Sequence, residues 1–377
     1  MDEVVNPARN ILDIITPSYR FDENANYLEQ VAALQYPGNW KINIIIIGDN
    51  PNVKIPASLQ QLIDEKKIIF ILNEKNMGMN SARNKGLDLS SGDWVLFLDD
   101  DIIPAKNLLF AYISAIEKKP GAMGFAGVVN FPKADNDFTK ALAVSGYTHF
   151  FSLAKNKTTM PWGVSANVLF SRKKIGGIRF SHEFGNKGGG DEVDFSVQLK
   201  HQYNEELIAV AEAEVLHPWW HEGQVNYSRP FYYSRGNYLL LKKYPQYGNY
   251  HFLNCIELVL IALIFSPVII IAGISWIKWL LWIVTLMFID LLIHSIRILK
   301  ENKEVTGKIL LYAWFIKLAG QVGYTSVCLQ KFYWQGLLKK FDIELREKKS
   351  NFHTNKWIII KILLITVSAL LIFLYQK

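Results

Sequence analysis

The sequence predicts an α/β domain on a mostly parallel sheet, followed by C-terminal transmembrane or interfacial helices. Three observations carry this expectation. Over the first 250 residues, short continuous apolar runs alternate with helix-patterned segments, as parallel strands covered on both faces require. Near residue 250 the composition changes, and apolar stretches of roughly 20 residues, long enough to span a bilayer, take over. The charge divides at the same place. Of the 41 Lys/Arg and 34 Asp/Glu, 15 and 7 lie beyond Tyr250, so a segment of −1 precedes one of +8. A nucleic-acid partner would call for basic residues beside the strand ends, so that class is set aside. Cys255 and Cys328 both sit in apolar stretches, which gives no disulfide framework. Met1-Asp2-Glu3 opens without the basic and apolar regions of a signal peptide.

Each element follows in order. Ile11–Ile15 is expected as the first strand, stopped by Thr16-Pro17, and Asn24–Leu34 as a helix. Asn43–Ile47 is a β-branched strand ending at Gly48-Asp49-Asn50. A helix at Ser58–Glu65, a strand at Ile68–Ile71, a helix at Met79–Leu87 and a strand at Trp94–Leu98 come next, then a helix at Pro104–Glu117. In such sheets ligands bind beyond the carboxyl ends of the strands. The chain has no Gly-x-Gly-x-x-Gly run or Walker loop, so dinucleotide and P-loop functions lose support.

Four units are expected: 1–250, the sheet domain; 251–299, a helical hairpin with spans at Asn254–Trp276 and Lys278–Ile298; 300–356; and 357–377, a last span at Trp357–Tyr375. Within 300–356, Ile309–Gln330 holds Lys317, Gln321 and glycines, and admits either a third span or an interfacial helix. Three Lys in Lys300–Lys308, and six Lys/Arg against three acids in Lys339–Lys356, favour the cytosol for both connections, which requires that Ile309–Gln330 does not cross. The expectation is an integral membrane protein whose sheet domain is cytosolic. Asp290 and His294, one turn apart, would pair with each other or with Lys317.

The strand Trp94–Leu98 runs into Asp99-Asp100-Asp101, where three carboxylates repel one another and a divalent cation would offset them. Asp99 and Asp101 alternate along an extended chain and so face one side. The competing reading is an acidic turn that caps the helix Pro104–Glu117. Two further runs stand nearby in sequence: Thr16-Pro17-Ser18-Tyr19-Arg20, and Asn76-Met77-Gly78-Met79-Asn80-Ser81-Ala82-Arg83-Asn84-Lys85-Gly86. Taken with Phe97-Leu98-Asp99-Asp100-Asp101, in this order and spacing, residues 10–240 resemble the family 2 glycosyltransferases of the GT-A fold.

The resemblance implies a nucleotide-diphosphate sugar donor, with a UDP-sugar expected, and Mg²⁺ or Mn²⁺ as cofactor. It implies donor contacts at Pro17, Tyr19, Arg20, Asp49, Asn76, Gly78, Arg83, Asp99 and Asp100. Asp49 would meet the base or ribose, and Arg83 would reach for the nucleotide rather than serve as a surface helix Arg. Asp99 and Asp101 would be the metal-binding Asp-x-Asp, completed by His217, with His221 as the alternative. Gly188-Gly189-Gly190-Asp191-Glu192-Val193-Asp194-Phe195 matches the segment that supplies the catalytic base. By position the base is Glu192, ahead of Asp191 and Asp194, while acids in a first helical turn also suit the helix dipole. Trp162 and Asn167, with Gly189 and Gly190, would line the acceptor side, unless Trp162 is core.

Processive members carry a Gln-x-x-Arg-Trp motif that Gln224-Val225-Asn226-Tyr227-Ser228-Arg229-Pro230 does not supply. The resemblance therefore implies inverting, non-processive transfer to a lipid-linked or membrane-proximal hydroxyl. Two other functions stay open: a degenerate nucleotide-sugar-binding subunit of a membrane complex, and a nucleotidyltransferase-like enzyme. The latter would want a Gly/Arg/Lys-rich loop after the first strand, where Pro17–Asn24 has only Arg20.

Overall fold

The computed structural model describes residues 10–185, 189–346 and 355–374. Met1-Asp2-Glu3, Gly188, the middle of the basic Lys339–Lys356 segment and Tyr375 lie outside them. The strands are β1 (Asn10–Ser18), β2 (Trp40–Gly48), β3 (Ile69–Leu72), β4 (Trp94–Leu98), β5 (Ile103–Pro104), β6 (Gly124–Asn130), β7 (Thr159–Met160), β8 (Asn167–Ser171), β9 (Leu207–Leu216), β10 (Gly248–Tyr250) and β11 (Lys339–Phe341). The helices are α1 (Ala25–Ala32), α2 (Ala57–Asp64), α3 (Met79–Leu89), α4 (Leu108–Lys118), α5 (Asp137–Val144), α6 (Arg172–Ile175), α7 (Asp191–Tyr203), α8 (Ser228–Lys243), α9 (Cys255–Ile271), α10 (Trp276–Glu301), α11 (Gly307–Gln330) and α12 (Lys356–Leu374). The chain forms two compact units. The first is Met1–Lys133, Thr148–Asn186 and Asp191–Glu222; the second is Ala134–Tyr147, Lys187–Gly190 and Gly223–Lys377.

The first unit is built on one sheet of order β3-β2-β1-β4-β8-β6-β9-β5, with β7 beside β9. The expected α/β class with a mostly parallel sheet is borne out. Ladders β2–β3, β1–β2, β1–β4 and β6–β9 are parallel, and antiparallel pairs enter where β8 lies between β4 and β6. Alternation along the strands feeds two cores. Leu12, Ile14, Ile44, Ile46, Leu96 and Leu98 face one side, with Leu28, Val31, Leu59 and Leu108 from the helices. Ile15, Ile45, Ile47, Val95 and Phe97 face the other, with Ala82, Leu87, Phe195 and Leu199. Burial on both faces is why these strands read as unbroken apolar runs.

The expected helix Pro104–Glu117 starts later. Ile103 and Pro104 pair with Leu216 and Val215 as β5, and α4 begins after Asn107. The three Asp therefore do not cap this helix, which removes the acidic-turn reading.

In the second unit, α9 ends at Ile271 rather than Trp276. Pro267 lies within it, and Gly273 closes it at φ +77°, a left-handed conformation suited to glycine. Among the described residues, α10 and α12 are long and apolar enough to cross a membrane, and α9 is shorter. α11 buries Trp314, Leu318, Tyr324 and Cys328, and packs closely on α8. A Cβ on Gly323 would stand 2.1 Å from the Phe231 carbonyl oxygen, and one on Gly320 would stand 2.8 Å from Ser234 Oγ.

Candidate active site

The first unit brings its polar strand ends together. Because β1 and β4 are parallel neighbours with Ile15 opposite Phe97, Ser18 falls level with Asp100. Its hydroxyl donates to Asp100 Oδ2. Asp100 is thereby turned towards β1, while Asp99 and Asp101 face elsewhere, as alternation demands. Burial, then the neighbouring Asp101 charge, pushes the Asp100 carboxyl up to about 6.

Asp99 and Asp101 meet His217, which follows β9, and one ligand atom from each lies within 4.8 Å of the others. The ring's bonding favours a cation here. His217 Nδ1 lies 2.6 Å from the Pro218 carbonyl oxygen, which only accepts, so Nδ1 carries the proton. In the neutral ring Nε2 then presents a bare lone pair 3.4 Å from an Asp101 oxygen. Two carboxylates and an imidazole whose other nitrogen is tied to a carbonyl form a donor set that fits Mg²⁺ or Mn²⁺. His221 is exposed, in left-handed backbone at φ +52°, and is not part of this group.

Arg83, on α3, connects these acids to α7. Its guanidinium reaches Asp99 at 3.2 Å, Asp191 at 3.3 Å and Ser165 Oγ at 2.8 Å, with Phe180 beneath it at 5.4 Å. It is 1% exposed, so it is not a surface helix residue. Asp191 is fully buried on this pair, and Asp194, also fully buried, accepts from Gln198. Glu192 alone of the three acids retains exposed surface. Burial first, then the Asp191 charge, holds its carboxyl well above the usual range, against the pull of Arg83.

Several donor and acceptor positions are occupied otherwise than the sequence implies. Asp49 is buried and holds the loop before α3, accepting from Asn73, Met77 N and Gly78 N at 2.7–2.8 Å. Oδ1 takes two of these bonds and Oδ2 one, so the carboxylate ties this loop to the end of β2. Gly78, at φ +84°, and Asn76, whose side chain accepts from Gly78 N, shape the same turn. Pro17 is buried in the β1–β2 ladder opposite Ile47. Tyr19 and Arg20 are exposed at the strand end, and Arg20 lies 3.6 Å from Asp101. Trp162 is core, its face stacked on Phe150 at 3.7 Å. Asn167 is 1% exposed and stitches the sheet: its amide donates to Val128 O and Ala213 O and accepts from Tyr112. In the second unit Gly189, at φ +99°, lies against α8, where a Cβ on Gly236 would stand 1.7 Å from its carbonyl oxygen. Gly190 follows at φ +97° and is partly exposed.

Sequence reasoning missed Ser18, Ser165 and Phe180 as supports of the acids. For Ser18 the signal was present, since adjacent parallel strands set the register of their ends.

Residues 13–178 match the sequence model of the family described as Glycosyl transferase family 2. That segment, just under half of the chain, is similar to the family 2 glycosyltransferases. Relatives agree with this. The succinoglycan biosynthesis protein ExoM of Rhizobium meliloti is 27% identical over 188 residues, covering 49% of this chain and 59% of its own. The GalNAc(5)-diNAcBac-PP-undecaprenol beta-1,3-glucosyltransferase of Campylobacter jejuni is 26% identical over 178 residues, covering 46% and 55%. An uncharacterized glycosyltransferase of Methanocaldococcus jannaschii is 35% identical over 95 residues, covering 23% and 32%. The chain thus spans less than two thirds of the length of these curated relatives. Among solved structures, the mannosyltransferase PcManGT from Pyrobaculum calidifontis, in complex with GDP-Man and Mn²⁺, aligns with 88% of this chain and 89% of its own. That alignment is 13% identical, with a TM-score of 0.47.

Proposed function

We propose that this glycosyltransferase domain transfers one or a few sugars, with inversion, from a nucleotide-diphosphate sugar to a hydroxyl of a lipid-linked or membrane-proximal acceptor. The observation that carries the proposal is the convergence of Asp99 and Asp101, between β4 and β5, with His217 at the end of β9, the strand that pairs with β5. Mg²⁺ or Mn²⁺ held by these three would supply positive charge against the donor diphosphate. Glu192 accepts the acceptor hydroxyl proton, a task suited to a carboxyl raised by burial well above the usual carboxylate range. Arg83 positions the acids: it balances Asp99 and Asp191, and so limits the repulsion that the site's negative charges exert on one another.

The lipid-linked acceptor is supported by the names of relatives. One is the Campylobacter enzyme, whose name gives an undecaprenol-linked substrate, and another is a glucosyl-dolichyl phosphate glucuronosyltransferase of Haloferax volcanii, 20% identical over 118 residues. The apolar helices α10 and α12 and the basic balance beyond residue 250 support an integral membrane protein with a cytosolic catalytic domain, where nucleotide sugars are found.

The test is to incubate the purified full chain with a panel of nucleotide sugars, membrane lipid extract and either Mn²⁺ or Mg²⁺. Cation-dependent release of nucleoside diphosphate from one donor class is expected, with His217→Ala raising the cation concentration required. Consumption of nucleoside triphosphates, with every nucleotide sugar left intact, would establish the nucleotidyltransferase alternative instead.

A further inference from the structure

In the second unit, Asp290 of α10 is almost fully enclosed and bears two ammonium groups. Lys317 of α11 reaches its Oδ2 at 2.7 Å, and Lys361 of α12 reaches its Oδ1 at 3.2 Å. Trp314 Nε1 also donates to Oδ2, at 3.0 Å. The expected Asp290–Lys317 pair therefore forms, and Lys361 joins it from a helix some seventy residues away. His294 does not take part, and its Nε2 is buried without a partner.

The charges do not balance. Two ammoniums face one carboxylate, which leaves one positive charge among apolar helices. An excess of this kind is costly unless an anion joins it. The donors are also incompletely used. Among the described residues Lys317, with 31% of its side chain exposed, has one hydrogen-bond partner for three N–H groups, and Lys361 has Asp290 and the Leu253 carbonyl. The Phe252 ring, 5.8 Å from Lys361 Nζ, adds a further face favourable to cations.

The depth of the cluster narrows the anion. From its level α9 runs on to Ile271, α10 runs back to Trp276 and α12 runs on to Leu374, each for roughly 20–24 Å at 1.5 Å per residue. Against roughly 30 Å of hydrocarbon, the cluster lies on the headgroup side of one leaflet, within reach of flexible lysines. No residue of α12 is fully buried, and the Lys317 and Lys361 side chains keep 31% and 12% of their surface exposed, so the cluster can be reached at its edge. We infer that Lys317 and Lys361, held by Asp290, form a binding site for the phosphate of a membrane lipid. Asp290 sets the two ammoniums at one spacing and competes with the ligand for them.

The inference rests on the membrane reading proposed above. It is tested by titrating the full chain in neutral detergent with dioctanoyl phosphatidic acid, dioctanoyl phosphatidylcholine or inorganic phosphate, following Trp fluorescence and thermal midpoint. Saturable binding of phosphatidic acid alone is expected. Lys317→Gln and Lys361→Gln should each weaken it by about tenfold or more, the worth of one charged hydrogen bond. Lys361→Arg should retain binding, and Asp290→Asn, which removes the internal competitor, should tighten it. A merely structural ion pair predicts lower stability for Asp290→Asn with no gain in binding, so that variant decides the matter even where a lysine variant fails to fold. Equal binding of phosphatidylcholine, equal binding of inorganic phosphate, or weakened binding by Asp290→Asn would overturn the assignment. Failure of the membrane reading shows separately, as wild-type protein released from membranes by alkaline carbonate.

Discussion

Arg83 offers its guanidinium to acids from two different elements, Asp99 after β4 and Asp191 at the start of α7, while 1% of its surface is exposed. Removing one partner of a buried pair strands the other charge. Arg83→Met should therefore cost about 3–5 kcal/mol in urea unfolding, and should lower turnover more than donor affinity. Glu192 has a raised carboxyl, and a base acts only when deprotonated. Turnover should rise with pH along a limb whose midpoint lies well above 4.5, and the limb should vanish in Glu192→Gln. Asp99 and Asp101 were legible as a possible cation site because three adjacent carboxylates repel one another, and His217 became legible only through the family resemblance. Asp49, Trp162 and Asn167 were not, because the same residue types serve equally as loop ties, core and sheet stitching, and only their partners tell these apart.

The sheet is the element that gathers these side chains, and its two cores hold it in register. Phe97 packs edge-on against Phe170, Phe180 and Phe195, and Phe180 stacks on Phe195 at 4.3 Å. Phe97→Ala should destabilise the protein by about 3–5 kcal/mol in urea unfolding and displace Asp99–Asp101 with the strand end. Asn167 links β8 to carbonyls of β6 and β9, and Asn167→Ala should cost about 1–3 kcal/mol through unsatisfied groups. β1, β2 and β4 were readable from apolar runs buried in both cores, and the edge strand β3 from its short apolar run although Ile69 and Leu72 are exposed. The pairing of β8 between β4 and β6 was not, since it depends on contacts far apart in sequence. α11 was ambiguous for a physical reason: a helix buried against α8 and one exposed to lipid have nearly the same composition.

The opening charge division now has structural content. The near-neutral segment carries the Asp99, Asp101, His217 and Glu192 cluster, and the basic segment carries α10, α12 and the Asp290 group. Protein expressed at full length should stay in the membrane pellet through a high-salt wash and leave it only with detergent. Surface attraction by lysines alone would be screened by that salt. Chelation should abolish transfer, and Mn²⁺ or Mg²⁺ should restore it. The most direct measurement is nucleoside diphosphate release from the preferred nucleotide sugar by wild type and Glu192→Gln, with donor binding followed in parallel. The account predicts that the variant binds donor as wild type does and releases diphosphate at least about a hundredfold more slowly. Wild-type release by Glu192→Gln would contradict it.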